Sequence, residues 1–169
     1  MMRNFLLAIV LLFSSVVYAK DVERVAGVDF GCTYENALDN LKVQWGEPEM
    51  CDANSIVYLH KLYENLDFDK IIFDFQRDTV SSYLNQARFY SVSKNKVDAI
   101  RKMKSLAEKL GEEYSVSYDE EDNHTPFYKG GWSSVGMRPL FTLFVERVEG
   151  QWNCILRYGA FPFINNFKK

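Results

Sequence analysis

The close spacing of the strand candidates is the feature that most constrains the fold. Ser55–Tyr63 contains the apolar run Ile56–Leu59, and Phe68–Gln76 alternates in hydrophobicity. Only a few turn-forming residues separate the two segments. Leu140–Val148 and Trp152–Gly159 are joined in the same way by Glu149-Gly150. Because parallel strands need a long crossover connection, such short links predict neighbouring antiparallel strands.

Two amphipathic helices interrupt these strands, and each has capping residues at both ends. Thr33 and Gly46 bound a predicted helix over residues 34–45, and Ser93 and Gly111 bound a second over residues 94–110. The chain is therefore predicted to be α+β, with two helices packed on a mainly antiparallel sheet of about six or seven strands. The order of cap, helix, glycine and strands occurs twice, which indicates two α-then-β repeats as one arrangement.

Residues 1–19 have the pattern of a secretory signal. Arg3 precedes an apolar run, and Val17 and Ala19 occupy the positions that signal peptidase reads. The alternative is a membrane anchor, but the run Phe5–Ala19 is shorter than the roughly 20 residues that span a bilayer. We expect a cleaved signal, a single domain over residues 20–169, export to the periplasm or the extracellular space, and no stable membrane anchor after cleavage.

The charge balance limits the partners. The formal net charge is −3, so the chain lacks the basic surface on which nucleic-acid binding depends. The composition, with 47% hydrophobic and 25% charged residues, is typical of a globular protein. No nucleic-acid partner is expected.

Three cysteines in an exported chain permit one disulfide bond and one free thiol. Cys32 precedes the first helix and Cys51 follows the turn after it, so a chain returning along the helix would allow a Cys32–Cys51 bond. The alternative is that all three cysteines are reduced and buried. Cys154 lies within a strong strand candidate and is expected to pack in the core.

The sequence has no recognised catalytic motif, and the question of enzymatic activity stays open. His60 and His124 have no second ligand at metal spacing, so neither a metal nor another cofactor is expected. A Cys154–His124 dyad would need a long-range approach that the sequence does not indicate.

Aromatic residues make up 15% of the chain, which is high. Most are expected in the core. Tyr128, Trp132, Phe161 and Phe163 lie near glycines, prolines or the end of the sequence, where complete burial is harder, and they are candidates for a binding patch. The alternative is that these four rings simply close the core.

One segment resembles a known group of envelope proteins. Residues 30–35 read Phe-Gly-Cys-Thr-Tyr-Glu, followed by Ala37, Leu41 and Gly46-Glu47-Pro48. This segment resembles the helix-opening segment of the SmpA/OmlA-type outer-membrane assembly lipoproteins and of the β-lactamase-inhibitor-protein fold. The lipidated cysteine of those lipoproteins is missing here. The resemblance implies a protein-binding role without catalysis and identifies no partner or binding residue.

The function expected from the sequence is an exported, non-enzymatic binding module that holds a protein partner through a sheet face or an aromatic patch. The alternative is a carrier of a small apolar ligand, with a pocket between helix and sheet. An exported hydrolase ranks third. An exposed flat patch favours the first function, an apolar cavity the second, and a cleft with a perturbed titratable pair the third.

Overall fold

The computed structural model describes residues 23–77, 82–120, 126–134 and 137–161. The elements are β1 (Arg24–Val25), β2 (Val28–Asp29), α1 (Tyr34–Trp45), β3 (Met50–Cys51), β4 (Ser55–Tyr63), β5 (Leu66–Arg77), β6 (Ser82–Ser93), α2 (Lys96–Leu110), β7 (Val116–Glu120), β8 (Pro126–Gly130), β9 (Phe141–Val148) and β10 (Gln151–Gly159). The predicted α+β class is confirmed.

The described strands form an eight-stranded antiparallel sheet in the order β3-β4-β5-β6-β10-β9-β8-β7, and β1 and β2 form a separate two-stranded hairpin. The predicted count of six or seven strands is therefore too low. The short edge strand β3 was missed because its two residues are too few to show an alternating pattern. The predicted signal segment lies outside the described residues.

The order of the strands divides the large sheet into two halves. In the first half, α1 is followed by β3, β4, β5 and β6, and in the second half α2 is followed by β7, β8, β9 and β10. The last strand of each half lies at the centre, where β6 pairs with β10 from Gln86↔Gly159 to Ser93↔Trp152. The centre of the sheet is thus a contact between residues far apart in the sequence.

Helix α1 has the predicted boundaries. The Thr33 hydroxyl accepts from the Asn36 N–H, and Gly46, at φ +81°, donates its N–H to the Lys42 carbonyl. Ala37 and Leu41 are buried against the sheet. At its end, the Tyr58 hydroxyl donates to the Gly46 carbonyl, which fixes α1 over the first half.

Helix α2 begins two residues later than expected. The N-cap is Asn95, whose side chain accepts from the Asp98 N–H at 2.9 Å, whereas the predicted cap, Ser93, is the last residue of β6. The pairing of Ser93 with Trp152 continues the β6–β10 ladder to that point and delays the helix. Its buried stripe is Ala99, Met103, Leu106, Ala107 and Leu110.

Both helices lie on the same face of the large sheet, which we call the covered face. Tyr58, Phe73, Phe89 and Tyr158 project from it and are fully or almost fully buried. The β1–β2 hairpin adds Val25, Val28 and Phe30 to this core. Among the described residues, no helix is long and apolar enough to span a membrane.

Candidate functional site

The opposite face of the sheet is not covered by either helix, and we call it the uncovered face. Side chains alternate along a strand, and residues paired across strands share a face. The pairing of Ile72 with Arg88, of Arg88 with Arg157 and of Arg157 with Thr142 therefore places one row of side chains across the uncovered face. A second row comprises Lys70, Tyr90, Ile155, Phe144, Phe127 and Asp119.

A hydrogen-bonded ion pair occupies the centre of this face. Arg88 donates to both carboxylate oxygens of Asp74, from Nε at 2.8 Å and from Nη2 at 2.7 Å. Its remaining nitrogen, Nη1, donates to the Tyr90 hydroxyl at 3.0 Å. Burial raises the pKa of Tyr90, so that hydroxyl keeps its own proton. The bidentate geometry holds the Arg88 guanidinium in one orientation.

Arg157 lies directly opposite Arg88 in the β6–β10 ladder. Its Nε donates to the Thr142 hydroxyl at 3.2 Å, and its guanidinium carbon is 5.2 Å from the centre of the Phe144 ring. In the part of the chain that the structure describes, no carboxylate lies within ion-pair distance of Arg157. Arg88 and Arg157 carry like charges at opposite positions on neighbouring strands and repel each other. A carboxylate brought beside Arg157 is therefore attracted.

An apolar row runs beside the two arginines. Tyr90, Ile155, Phe144 and Phe127 follow one another across β6, β10, β9 and β8. On the edge strand β3, Met50 pairs with Val57, lies on the same face and is 56% exposed. Ile155 is 2% exposed and Tyr90 is 9% exposed, so these two side chains are buried among their neighbours. Phe144 and Phe127 are partly exposed, on a face that in an antiparallel sheet is usually polar.

The structure separates the four aromatic residues that were predicted to bind. Trp132 is 64% exposed in the connection between β8 and β9, whereas Tyr128 is half-buried on the covered side, where its ring meets Tyr118 at 5.5 Å between ring centres. Phe161 is 0% exposed and packs edge-on against Phe30, so its ring lies in the core. Phe163 lies outside the described residues. The four therefore do not form one described patch, and binding by Tyr128 and Trp132 stays a prediction.

All three cysteines are free thiols, so the predicted Cys32–Cys51 bond is not formed. Cys51 lies on the edge strand β3, whereas Cys32 bonds to Leu84 of β6 on the side away from β5. About four strand spacings of 4.8 Å separate such positions, and a disulfide needs Cα atoms within about 7 Å. The chain returns from α1 to the far edge of the sheet, not to its starting point.

Burial suppresses the reactivity of two of these thiols. It raises the pKa of Cys32 to about 11, with a contribution from Asp29, and the pKa of Cys154 to about 12, against the opposing effect of Lys102. Both are protonated at neutral pH and are poor nucleophiles. The other member of the Cys154–His124 dyad lies outside the described residues.

A cleft between α2 and the sheet is the second site of interest. It has a volume of about 350 Å³, and it is lined by the apolar side chains of Leu66, Phe68, Leu106 and Cys154 together with the polar residues Asp67, Ser91, Lys102 and Ser105. A larger cleft of about 580 Å³ adjoins it, and Lys102 lies in the wall of both. Among the described residues, no group of three or more His, Cys, Asp or Glu side chains could hold a metal ion.

Sequence reasoning missed Arg88, Tyr90 and Arg157 as site residues. The alternation in β6 does place Arg88 and Tyr90 together on the side opposite Ala87 and Phe89. The position of Arg157 beside them depends on the β6–β10 pairing, for which the local sequence carries no signal.

Comparisons of the chain with models of protein families, with curated proteins and with solved structures found no match. The resemblance of residues 30–48 to the SmpA/OmlA-type and β-lactamase-inhibitor-type proteins therefore stays a prediction.

Proposed function

We propose that this chain is an exported, non-enzymatic binding module that holds a protein partner on the uncovered face of its sheet. The observation that carries the proposal is the combination, on one face, of the partly exposed rings of Phe144 and Phe127 with the guanidinium of Arg157. Tyrosine, phenylalanine and arginine are the side chains that are enriched at protein interfaces.

The partner is expected to present a carboxylate beside aliphatic groups. Arg157 offers donors that no described carboxylate occupies, and its stacking on Phe144 limits the conformational freedom lost on binding. The Asp74–Arg88 pair is already satisfied internally, so its role would be to hold the neighbouring Tyr90 ring in position.

The proposed architecture includes two α-then-β repeats, one for each half of the sheet. The support for it is the order of elements, since each helix precedes a run of four strands. The uncovered face then crosses the boundary between the repeats at Arg88 and Arg157, where a partner would contact both halves.

A photo-crosslinking amino acid placed at two faces tests the proposal. At Phe144 or Phe127, on the uncovered face, the crosslinker is expected to trap one protein species from the native envelope or culture fluid. At Val43 or Val97, exposed residues of the two helices, it is expected to trap none above background.

The variant Arg157→Glu, combined with the crosslinker at Phe144, is expected to abolish the trapped species, because it replaces the attracting charge with a repelling one. Arg147→Glu is the matched control, since Arg147 lies on the covered-face side of β9, between Glu146 and Val148. Equal crosslinking from both faces, or trapping that survives Arg157→Glu, contradicts the proposal.

A further inference from the structure

We propose that the two adjoining clefts beside α2 form one binding site for a small amphipathic anion, an acidic head group carried on a single short aliphatic chain. The site lies on the covered face and does not depend on the proposed protein partner. Its two parts differ in character, and Lys102 lies where they meet.

The larger cleft carries positive charge that is not compensated. Lys94, Arg101 and Lys102 line it, together with one carboxylate, Asp98, which already accepts from Arg101 at 2.7 Å. Within the described ranges, neither Lys94 nor Lys102 has a carboxylate at ion-pair distance. Two ammonium groups in one cleft of a chain with a net charge of −3 are suited to an anion.

Lys102 is held in position by the sheet. Its Nζ donates to the Val92 carbonyl at 2.6 Å and to the Ser91 hydroxyl at 2.9 Å. An ammonium group has three donors, so one N–H remains for a ligand. Both present partners are neutral, so an anionic acceptor would gain a charge-assisted bond without displacing an internal ion pair.

Ser93 is a further polar group in the wall of the same cleft. It is only 8% exposed, and its hydroxyl is buried with no hydrogen-bond partner among the described residues. Native proteins rarely leave such a group unsatisfied, because burial without a partner costs about 1–3 kcal/mol. A head-group oxygen bound between Lys94 and Lys102 would supply a nearby acceptor.

The smaller cleft fits an apolar body. Leu66 and Phe68 of β5, Leu106 of α2 and Cys154 of β10 supply its apolar lining. The exposed Asp67 and the hydroxyls of Ser91 and Ser105 complete the lining, so the acidic head group is expected at the Lys102 end and not beside Asp67. The Cys154 thiol is protonated and therefore behaves as an apolar surface here. A short aliphatic chain whose head group is bound at Lys102 would extend into this space.

Isothermal titration calorimetry on the purified protein tests the site with three probes. Decanoate, below its micelle concentration, is expected to bind with one molecule per chain. Decyltrimethylammonium has the same chain and the opposite charge, and acetate has the same head and almost no chain, so both are expected to bind far more weakly. Equal affinity for either of these and for decanoate overturns the proposal, as does the absence of decanoate binding.

Lysine variants locate the site. Lys94→Met and Lys102→Met are each expected to weaken decanoate binding by about tenfold or more, the loss expected when a charged hydrogen-bonding group is removed. Lys104→Met is the matched control, because Lys104 is exposed on α2 and lines neither cleft. Lys94 is exposed and makes no described ion pair, so Lys94→Met keeps the test valid if Lys102→Met unfolds. Unchanged affinity in Lys94→Met overturns the proposal.

Discussion

The two halves of the molecule follow the same order of elements, but their helices pack on the sheet through side chains of different size. In the first half, large rings separate α1 from the sheet, with Trp45 against Tyr58 at 5.3 Å and against Phe73 at 6.1 Å between ring centres. Beneath α2, in contrast, Ser91 and Ser93 of β6 and Cys154 of β10 provide small side chains, and the backbone of α2 lies closer to the sheet. Large rings fill the space under α1, and the two described clefts lie beside α2, the helix that packs on small residues.

This difference means that stability and binding are expected to depend on different halves. A ring in a filled core contributes burial that nothing else replaces, whereas a serine under a helix contributes little burial and leaves room for a ligand. Mutations in each half therefore test whether stability and ligand binding are separated in this way.

The largest effect is expected for Phe73→Ala in the first half. Phe73 is fully buried between Trp45 and Phe89, so the variant loses a ring and leaves a cavity, at a cost of about 3–5 kcal/mol in the free energy of unfolding. Cys154→Ala in the second half is expected to cost only about 1 kcal/mol. Urea denaturation measures both, and a larger loss for Cys154→Ala would refute the distinction between the halves.

Gly130→Ala is expected to cost about 1–3 kcal/mol through overpacking in the second half. A Cβ atom at this position would clash with Cζ of Phe141 and lie 3.0 Å from Cγ2 of Val116. Adding Phe141→Leu should recover part of that loss, because it removes the clashing ring atoms. Thermal denaturation of the single and double variants checks this, and simple additivity of the two losses would show that the clash is not the cause.

The three thiols are expected to differ in reactivity according to their burial. Cys51 is exposed on the edge of the first half and should react with a thiol reagent at pH 8, whereas Cys32 and Cys154 should not react in the native protein. Because the pKa values of Cys32 and Cys154 are raised in the folded protein, both thiols stay protonated there below pH 9. Their protection from the reagent declines as the pH approaches about 11, the pKa of Cys32. Mass spectrometry counts the labels, and three labels on native protein at pH 8 would contradict the burial of Cys154.

The smallest effect on stability is expected for Trp132→Ala. The ring is largely exposed in the connection between β8 and β9, so the free energy of unfolding should change by less than about 0.5 kcal/mol. Any loss of partner capture by this variant would then report on binding rather than unfolding. A drop in melting temperature as large as that of Gly130→Ala would instead show that the Trp132 ring packs against the fold and stabilises it.

The elements with local signals were predictable. The Thr33 and Gly46 caps gave the bounds of α1 correctly, because capping is decided by residues next to the helix. The start of α2 was misplaced because Ser93 and Asn95 are both good caps, and the choice between them is made by the pairing of Ser93 with Trp152. Tertiary pairing overrode a local preference.

The candidate sites were less predictable, since each depends on contacts between distant residues. Arg88 and Arg157 become neighbours only when β6 pairs with β10, and Lys102 reaches Ser91 only when α2 lies across β6. Phe161 lies two residues after Gly159 and directly before Pro162, in a segment typical of a surface turn, yet its ring is fully buried and packs against Phe30. Sequence patterns identify faces of single elements, and sites arise where faces of several elements meet.

The central pairing of β6 with β10 also has a consequence for the order in which the protein matures. Strand β10 is the last strand of the described chain to leave the ribosome, so until then residues 86–93 of β6 form an unpaired edge, with Arg88 and Tyr90 on one side and Phe89 on the other. A half-made chain would present that edge to other chains. A chaperone that binds nascent chains is therefore expected to protect the first half until translation of β10 is complete.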